Sequence, residues 1–446
     1  MVCSHLSCHD RHRTLHFRAM CTHRSLTPVL SATLILLAAL VVPLAAQQEA
    51  TPAEGTLRSI DAEGTMTPTA VDDFIAPLFA GYDAPEARYP VDVYVAQVYA
   101  RYPDGRMTPF RVQIFVPQRR DAVDGVYVFS PGSTGMIGPC RASREHVAGI
   151  RWGLYRAHVL AMAGQGFVGI LPDYMGFEDN TLVQPYFHAA SEARVIFDAL
   201  RGVDTWIRTT YPDRFARGLQ PYRRVAAGFS QGGHAIFAAA DRNLTMGGNL
   251  YLHGVIGYGP TTAVEPMLNL YPSLGPMVAM SYLSVYGREN FDPADVLREP
   301  WASELEYDTT RQCVGGMQGY YPHDDPTDLF REDFLASMRD GTLAETHPVI
   351  KRIFDANRTG VTRHRVPALI LQGTNDIVVA RKTQDQFVSQ LRALGNPVDY
   401  RVFEGSRHDT RQIAFDEAIA WMRSLDPRDR PRQMDGPTRF DPEIDR

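Results

Sequence analysis

Lysine is nearly missing from this sequence. Only Lys351 and Lys382 occur among its 45 lysine and arginine residues, a bias that we attribute to genome composition rather than to function. No basic stripe offsets the formal net charge of -6, so nothing favours a nucleic-acid partner. Neither a phosphate-binding loop nor a dinucleotide fingerprint occurs, and we expect no cofactor. The 446 residues are 44% hydrophobic, which is enough for a sizeable folded core.

A full set of metal ligands is also missing. The best local cluster is Pro-His-Asp-Asp at residues 322–325, where one histidine and two adjacent carboxylates lie in a proline-rich loop. Zinc and calcium sites need more ligands than this run offers, so it fits a solvated loop better than a metal site. We therefore expect no bound metal.

The one long apolar run lies near the N-terminus, at residues 29–44. It is interrupted by Pro43 and is short for a membrane span, so residues 1–46 are interpreted as a signal peptide that is cleaved after Ala46. The polar stretch before Met20 is unusually long for such a leader, which makes this methionine a candidate start site. No cysteine stands directly after the run, where a lipoprotein signal would need one, and this disfavours a lipid anchor. The mature protein would be secreted or periplasmic.

Strand-like and helix-like segments alternate through most of the remaining chain. Residues 47–70 are polar and predict an extended arm that leads into the domain, and we assign residues 47–90 as the N-terminal arm. β-rich runs at residues 91–102 and 110–116 flank the turn Pro-Asp-Gly and predict an antiparallel hairpin at a sheet edge. The alternation that follows predicts an α/β fold with a mostly parallel sheet and helices on both faces. The further strands are expected at residues 125–130, 167–171, 224–229, 251–258, 366–371 and 398–403.

The alternation stops at residues 261–360, which are rich in Met, Tyr, Leu and Pro. This segment predicts a helical cap inserted between two parts of the core, residues 91–260 and 361–425. Residues 426–446 carry almost no apolar side chains and predict a disordered tail. Four methionines either line an adaptable apolar site or fill the cap's own core: Met267, Met277, Met280 and Met317.

The stretch Gly-Phe-Ser-Gln-Gly at residues 228–232 carries one candidate nucleophile, Ser230. It lies between an apolar strand-like run and an alanine-rich helix-like run. In the pattern Gly-x-Ser-x-Gly the serine occupies a sharp strand-to-helix turn, and Gly228 and Gly232 leave room for the two elements to pass closely. The pattern alone is weak, because roughly one chain in ten of this length contains it by chance and it then marks only a turn.

Two further residues complete the chemistry that such a serine needs. A serine hydroxyl requires a base to take its proton, and after a turn of this kind the partners follow in the order acid, histidine. Asp376 ends the run Gln-Gly-Thr-Asn-Asp after a buried strand, at the carboxyl edge of the sheet. His408 is the only histidine after it. Each residue alone fits an ordinary loop, but together with Ser230 they predict a catalytic triad.

The tetrahedral intermediate of acyl transfer also needs hydrogen-bond donors for its oxyanion. The first is normally the backbone N–H after the nucleophile, here that of Gln231. The second comes from the loop after another strand, and the glycine-rich residues 130–135 are the candidate. We choose Ser133 as the second donor and keep Thr134 as the alternative.

From about residue 91 to residue 422 the sequence resembles the α/β-hydrolases, and within them the secretory lipase family typified by yeast lipase A. The resemblance implies hydrolysis of carboxylic esters by Ser230, Asp376 and His408 beneath a helical cap. The motifs that carry it are Gly-Phe-Ser-Gln-Gly-Gly at residues 228–233, Pro-Asp-Tyr-Met-Gly at 172–176, residues 357–360 and Gln-Gly-Thr-Asn-Asp at 372–376.

We therefore expect a serine esterase or lipase that acts on a small-molecule or lipid ester with an apolar acyl part. A lipid substrate would also bring transient contact with a lipid surface. A serine peptidase or amidase remains open, because the same triad performs both kinds of acyl transfer. A non-catalytic binder would not need to keep nucleophile, acid and base together. The cap would set the acyl preference.

Removal of the leader would leave two of the five cysteines, Cys140 and Cys313, in an oxidising compartment. We expect them to form a disulfide that ties the cap to the core. Two separately buried thiols are the alternative.

Overall fold

The structure is a computed structural model that describes residues 51–119, 122–215, 218 and 222–430. The predicted signal peptide and the last sixteen positions of the predicted tail, residues 431–446, lie outside this part of the chain. Within it, no helix is both long enough and apolar enough to span a membrane.

Nine strands of the described chain form one sheet in the order β1-β2-β3-β5-β4-β6-β7-β8-β9. The neighbouring pairs β1–β2, β2–β3 and β3–β5 are antiparallel. All the other neighbouring pairs, from β5–β4 to β8–β9, are parallel. The strands are β1 Leu57–Met66, β2 Val91–Arg101, β3 Met107–Pro117, β4 Gly125–Ser130, β5 Phe167–Pro172, β6 Arg224–Phe229, β7 Gly254–Tyr258, β8 Ala368–Gly373 and β9 Val398–Phe403.

Helices cover both faces of this sheet. In chain order, the helices of the described residues are α1 Pro68–Ile75, α2 Tyr155–Gly164, α3 Ala189–Thr210, α4 Pro212–Phe215, α5 Gln231–Asp241, α6 Asn243–Met246, α7 Val264–Leu270, α8 Gly275–Tyr286, α9 Leu305–Thr310, α10 Val314–Tyr320, α11 Glu332–Asp340, α12 Leu343–Thr346, α13 Pro348–Ala356, α14 Arg381–Ala393 and α15 Phe415–Ser424. Of these, α7 to α13 belong to the predicted cap and not to the layers on the sheet.

Side chains alternate between the two faces along each central strand. Val128 points to the face that packs against α3, α5 and α14, where Ile236 belongs to the same cluster. Phe129 points to the other face, which packs against α1, α2 and α15 and includes Leu160. All six residues of each of β4, β5, β6 and β8 are buried, as expected for strands that helices cover on both sides. The predicted α/β fold is confirmed.

Residues 261–360, the predicted cap, contain helices α7 to α13 and form a hydrophobic cluster of their own. Four core residues join this cluster: Met136, Val183, Tyr186 and Phe187. The four methionines that the sequence left open, Met267, Met277, Met280 and Met317, are buried in it. They fill the cap's own core, although Met267 also lines a small cavity that is described below.

The structure corrects the prediction for residues 47–90. Part of this segment forms β1 and α1 instead of an extended arm. β1 pairs with β2, with Ile60 opposite Ala96, so β1 and not the predicted hairpin occupies the sheet edge. The hairpin of β2 and β3 itself is confirmed. β1 lacks an apolar alternation because seven of its ten residues are exposed, so its backbone pairing rather than side-chain burial defines it.

Several strand boundaries also differ from the prediction, as for β8, which begins at Ala368 rather than at residue 366. β7 begins at Gly254 rather than at residue 251, because the backbone of Leu252 bonds to the side chain of Asn243 instead of to a strand. α2 begins at Tyr155 because Leu154 adopts a left-handed conformation, with φ of 51°.

Candidate active site

Ser230 occupies the turn between β6 and α5 with a backbone that few residues adopt, φ 54° and ψ -113°. A non-glycine residue with positive φ is strained and is often found at a functional site. The two flanking glycines are required by close contacts. A Cβ on Gly228 would lie 2.0 Å from the carbonyl oxygen of Gly232, and one on Gly232 would lie 1.9 Å from that of Ser130. The turn is therefore the tight strand-to-helix elbow that the sequence predicts.

Asp376 and His408 meet at the same edge of the sheet. Asp376 follows β8, and its Oδ2 lies 2.7 Å from Nδ1 of His408, which follows β9. The other carboxylate oxygen, Oδ1, accepts the backbone N–H groups of Val378 and Val379 at 2.9 and 2.8 Å. Gln372 donates to Oδ2 at 3.1 Å. The carboxylate is thus fixed, and it orients the imidazole so that Nδ1 donates and Nε2 is left as the basic nitrogen.

A glycine lets the elbow approach this pair. The N–H of Ser230 donates to the carbonyl of Tyr258 at 3.1 Å, and the next residue, Gly259, has φ of 50°. A Cβ on Gly259 would lie 3.0 Å from Nδ1 of His408 and 3.2 Å from Oδ2 of Asp376. The ring of Phe229 packs 4.8 Å from the His408 ring, centroid to centroid. The structure therefore places the elbow of Ser230 beside the Asp376–His408 pair.

The reactive atoms of the nucleophile and the base are both buried. Oγ of Ser230 and Nε2 of His408 have no hydrogen-bond partner among the described residues. A cavity of about 30 Å³ lies beside the acid loop and is lined by Met267 and Leu270 of the cap together with Val379 and Phe387 of the core. Neither Ser230 nor His408 lines this cavity, so it borders the site without reaching the nucleophile.

A buried arginine holds the turn that carries His408. The Arg411 guanidinium donates to the Asp409 carboxylate at 2.5 Å and to the carbonyl of Gly153 at 2.6 Å, and it lies 4.8 Å from the centre of the Phe229 ring. Burial lowers the pKa of Arg411, but the Asp409 charge outweighs it and the net pKa is raised. The guanidinium therefore stays charged, and it links the histidine turn to the residue that precedes Ser230.

The predicted oxyanion loop lies beside the N-terminus of α5. A Cβ on Gly132 would lie 2.9 Å from the Phe229 ring, and the carbonyl of Pro131 accepts the Tyr174 hydroxyl at 2.8 Å. Oγ of Ser133 lies 2.7 Å from the hydroxyl of Tyr186. Burial raises the pKa of both phenols, so they act as neutral hydrogen-bond partners at neutral pH. Gln231 is the first residue of α5, where backbone N–H groups lack acceptors within the helix.

The cap reaches this loop directly. Val314 at the start of α10 donates its N–H to the carbonyl of Thr134 at 2.9 Å, and Gly135 forms an isolated antiparallel bridge with Cys313. Cys313 is joined to Cys140 by a disulfide with a Cα–Cα distance of 5.3 Å. The structure therefore pairs the two cysteines as predicted, and the pair fastens the cap beside the oxyanion loop.

No cluster of three or more His, Cys, Asp or Glu side chains suited to a metal occurs in the described part of the chain. The loop at residues 322–325 is largely exposed, and Nε2 of His323 lies 3.5 Å from the carboxylate of the neighbouring Asp324.

The sequence missed several residues that surround the site. Tyr186, Glu192 and His234 are buried next to the oxyanion loop or the nucleophile helix. The one local signal was His234, a titratable side chain within an alanine-rich helix just after the elbow. Glu192, its partner, lies 42 residues earlier in the chain, and no spacing rule connects the two.

No family model and no curated protein matches the sequence. Among solved structures, the rice cell wall degrading esterase LipA from Xanthomonas oryzae is similar, with a TM-score of 0.67 and 18% identity over 84% of this chain and 99% of LipA. Lipase A from Candida antarctica is similar with a TM-score of 0.61 and 15% identity over 84% of this chain and 83% of the lipase. The chain therefore has the α/β-hydrolase fold that the motifs predicted.

Proposed function

We propose that the chain is a serine hydrolase that cleaves carboxylic esters with an apolar acyl part, through an acyl-enzyme on Ser230. One observation carries this proposal: a strained serine elbow and a half-buried Asp376–His408 hydrogen bond lie together at the carboxyl edge of one sheet. The arrangement matches the roles of nucleophile, base and orienting acid. The fold shared with an esterase and a lipase supports the same reaction.

In the acylation step, Oγ of Ser230 attacks the ester carbonyl carbon while its proton passes to Nε2 of His408. Asp376 stabilises the imidazolium through Nδ1. The backbone N–H of Gln231 and a donor from the loop of Ser133 stabilise the oxyanion. The imidazolium then gives its proton to the leaving alcohol as the carbon–oxygen bond breaks. Water, activated by the same histidine, attacks the acyl-serine and releases the acid.

Two observations bear on the substrate. Apolar side chains of the cap and core, such as Leu270 and Val379, lie beside the acid loop, and these apolar surroundings support an ester with an apolar acyl part. Ile377 and Val147 are 75% and 76% exposed in loops that follow Asp376 and the predicted oxyanion loop, and a lipid substrate would bring such side chains into transient contact with a lipid surface. A peptidase or amidase would use the same triad and differ only in the pocket. We therefore place esters first.

We also propose that the protein acts outside the cytoplasm. The apolar leader predicted at residues 1–46 and the Cys140–Cys313 disulfide support this location, since disulfides persist in oxidising compartments. Mass spectrometry of the mature protein would test it, because a chain that retains its first 46 residues would contradict export by signal cleavage.

The function is tested with p-nitrophenyl esters of increasing acyl length beside aminoacyl anilides, using the wild type and Ser230→Ala. We expect ester turnover in the wild type and a loss of about a millionfold in kcat in the variant, because the nucleophile is removed. An organophosphonate should label the wild type at Ser230 alone. Labelling at another serine, substantial activity in the variant, or faster cleavage of the anilides would overturn the assignment.

A further inference from the structure

Two titratable side chains that the reaction does not use are fully buried below the nucleophile. Glu192 lies in the first turn of α3 and His234 in the first turn of α5, and their side chains are 1% and 0% exposed. Oε2 of Glu192 lies 2.5 Å from Nδ1 of His234. A buried ion pair adds little net stability compared with apolar side chains of the same volume, so stability alone gives no reason for this one.

The hydrogen bonds around this pair leave little freedom. Nε2 of His234 lies 2.6 Å from the carbonyl oxygen of Asn357, which can only accept, so Nε2 carries a hydrogen. A second hydrogen lies between Nδ1 of His234 and Oε2 of Glu192. The second carboxylate oxygen, Oε1, accepts the side-chain amide of Gln231 at 2.8 Å and the backbone N–H of Phe187 at 3.1 Å. Every polar atom of the pair is therefore engaged.

Glu192 contacts the supports of both predicted oxyanion donors. Gln231 provides the first donor through its backbone, and its side chain is fixed by Glu192. Phe187 has φ of 54°, and its neighbour Tyr186 bonds to Ser133, the second predicted donor. The Phe187 ring also packs edge-on against the His234 ring at 5.0 Å. One carboxylate thus connects the two sides of the predicted oxyanion hole.

The same pair contacts the end of the cap. Asn357, which follows α13, accepts from His234 through its carbonyl. Its side chain accepts the N–H of Ala189 at 3.0 Å and donates to the Tyr286 hydroxyl at 2.7 Å. The contact between His234 and Asn357 therefore places the exit of the cap against both α3 and α5.

We propose that Glu192 and His234 are positioning residues that hold Gln231 and the loop of Ser133 in the geometry of an oxyanion hole. This rests on the function proposed above. Neither residue touches the substrate. A displacement of about 1 Å at a catalytic donor can lower the rate by about a hundredfold, so a buried bond that fixes such a donor is expected to affect kcat rather than KM.

The test compares Glu192→Ala with Asp241→Ala in the full chain, assayed on p-nitrophenyl esters and by thermal unfolding. Asp241 is a matched control, because its buried carboxylate accepts three backbone N–H groups of the cap's return segment, those of residues 360–362. It ends α5, ten residues or about 15 Å from Gln231. We expect both variants to unfold at a lower temperature, but only Glu192→Ala to lose kcat, by about 10- to 100-fold with little change in KM.

Glu192→Gln should restore most of the activity. Its carbonyl oxygen can still accept from Gln231 and Phe187, and its amide can donate to Nδ1 of a neutral His234. If Glu192→Ala does not fold, Gln231→Met is used, because it keeps the backbone donor and removes only the bond to Glu192. Its kcat should fall by about tenfold or less, again at constant KM.

Equal kcat losses in Glu192→Ala and Asp241→Ala would show that the pair is merely structural, and so would an unchanged kcat in Gln231→Met. The failure of the underlying function is recognised separately, since the wild type would then hydrolyse no ester and show no label at Ser230. In that case the positioning role would be rejected together with the proposed function.

Discussion

The core and the cap contribute to the candidate site in different ways. The core provides the three reactive side chains, each from a turn that follows a strand: Ser230 after β6, Asp376 after β8 and His408 after β9. The contacts that the cap makes with the site use mainly its backbone, as in the bonds of Val314 to Thr134 and of Asn357 to His234. A parallel sheet fixes its carboxyl edge firmly, so it suits groups whose geometry must be held closely.

The difference predicts separate consequences for the two regions. Changes at the reactive residues of the core should lower kcat and leave the free energy of unfolding nearly unchanged. Changes at the contacts that attach the cap to the core should mainly lower the free energy of unfolding. The three predictions below test this separation, starting with the largest expected effect.

The largest effect is expected for Asp376→Asn. The amide would keep the size of the side chain but would present an N–H to Nδ1 of His408 and favour the wrong tautomer, which lowers kcat by about ten-thousandfold in a comparable triad. Steady-state kinetics on a p-nitrophenyl ester and urea unfolding measure the two quantities. An amide oxygen in the place of Oδ1 can still accept from Val378 and Val379, whereas the amide nitrogen loses the bond from Gln372, so the free energy of unfolding should fall by only about 1 kcal/mol. A variant with more than about a tenth of the wild-type kcat would remove Asp376 from the triad.

The features that could be predicted from the sequence follow the same division between core and cap. The buried strands of the core appeared as short apolar runs, and the chain order of serine, acid and histidine left only His408 for the base. Each of these signals is local or depends on order alone. The hydrogen bond between Asp376 and His408 spans 32 residues, but the common sheet edge made it predictable.

The missed features depend on contacts that no local pattern records. β1 carries Arg58, Asp61 and Glu63 and exposes most of its residues, so it looks like a polar arm until its pairing with β2 is known. His234 bonds to the carbonyl of Asn357, 123 residues away and through a backbone atom that any residue would provide. The shortest cap helices, such as α12 with four residues, are too short to show a hydrophobic periodicity in the sequence.

The second prediction concerns the disulfide. Replacing Cys140 and Cys313 together by alanine should lower the free energy of unfolding by up to about 4 to 5 kcal/mol, because the bond closes a long loop in the unfolded chain. The sequence separation is 173 residues. Urea unfolding of the double variant beside the wild type measures the loss, and unfolding of the wild type under reducing conditions should agree with it.

We expect kcat to fall much less in this double variant than in Asp376→Asn. The bond between Val314 and Thr134 and the bridge between Gly135 and Cys313 still hold the oxyanion loop when the sulfur atoms are gone. A kcat loss as large as that of Asp376→Asn, with stability unchanged, would show that the cap takes part in the chemistry. It would contradict the proposed separation between the roles of the core and the cap.

The smallest effect is expected at His364, in the segment where the cap returns to the core. Burial lowers the pKa of His364 from 6.5 to about 4, and its Nδ1 accepts the N–H of Val366 at 3.0 Å. Between these two values the unfolded chain binds a proton that the folded chain does not. The contribution of neutral His364 to stability is therefore present above pH 6.5 and is lost as the pH falls towards 4.

His364→Asn should remove this acid sensitivity while its side-chain oxygen replaces Nδ1 as the acceptor for Val366. The difference in unfolding free energy between pH 7 and pH 5 should then shrink by about 2 kcal/mol compared with the wild type. Urea unfolding at the two pH values measures it. kcat at pH 7 should stay within about twofold of the wild type, because the ring touches none of the reactive residues. An unchanged pH dependence would show that the pKa of His364 is the same in the folded and unfolded chains, and a large fall in kcat would show that the return segment shapes the site as directly as the core does.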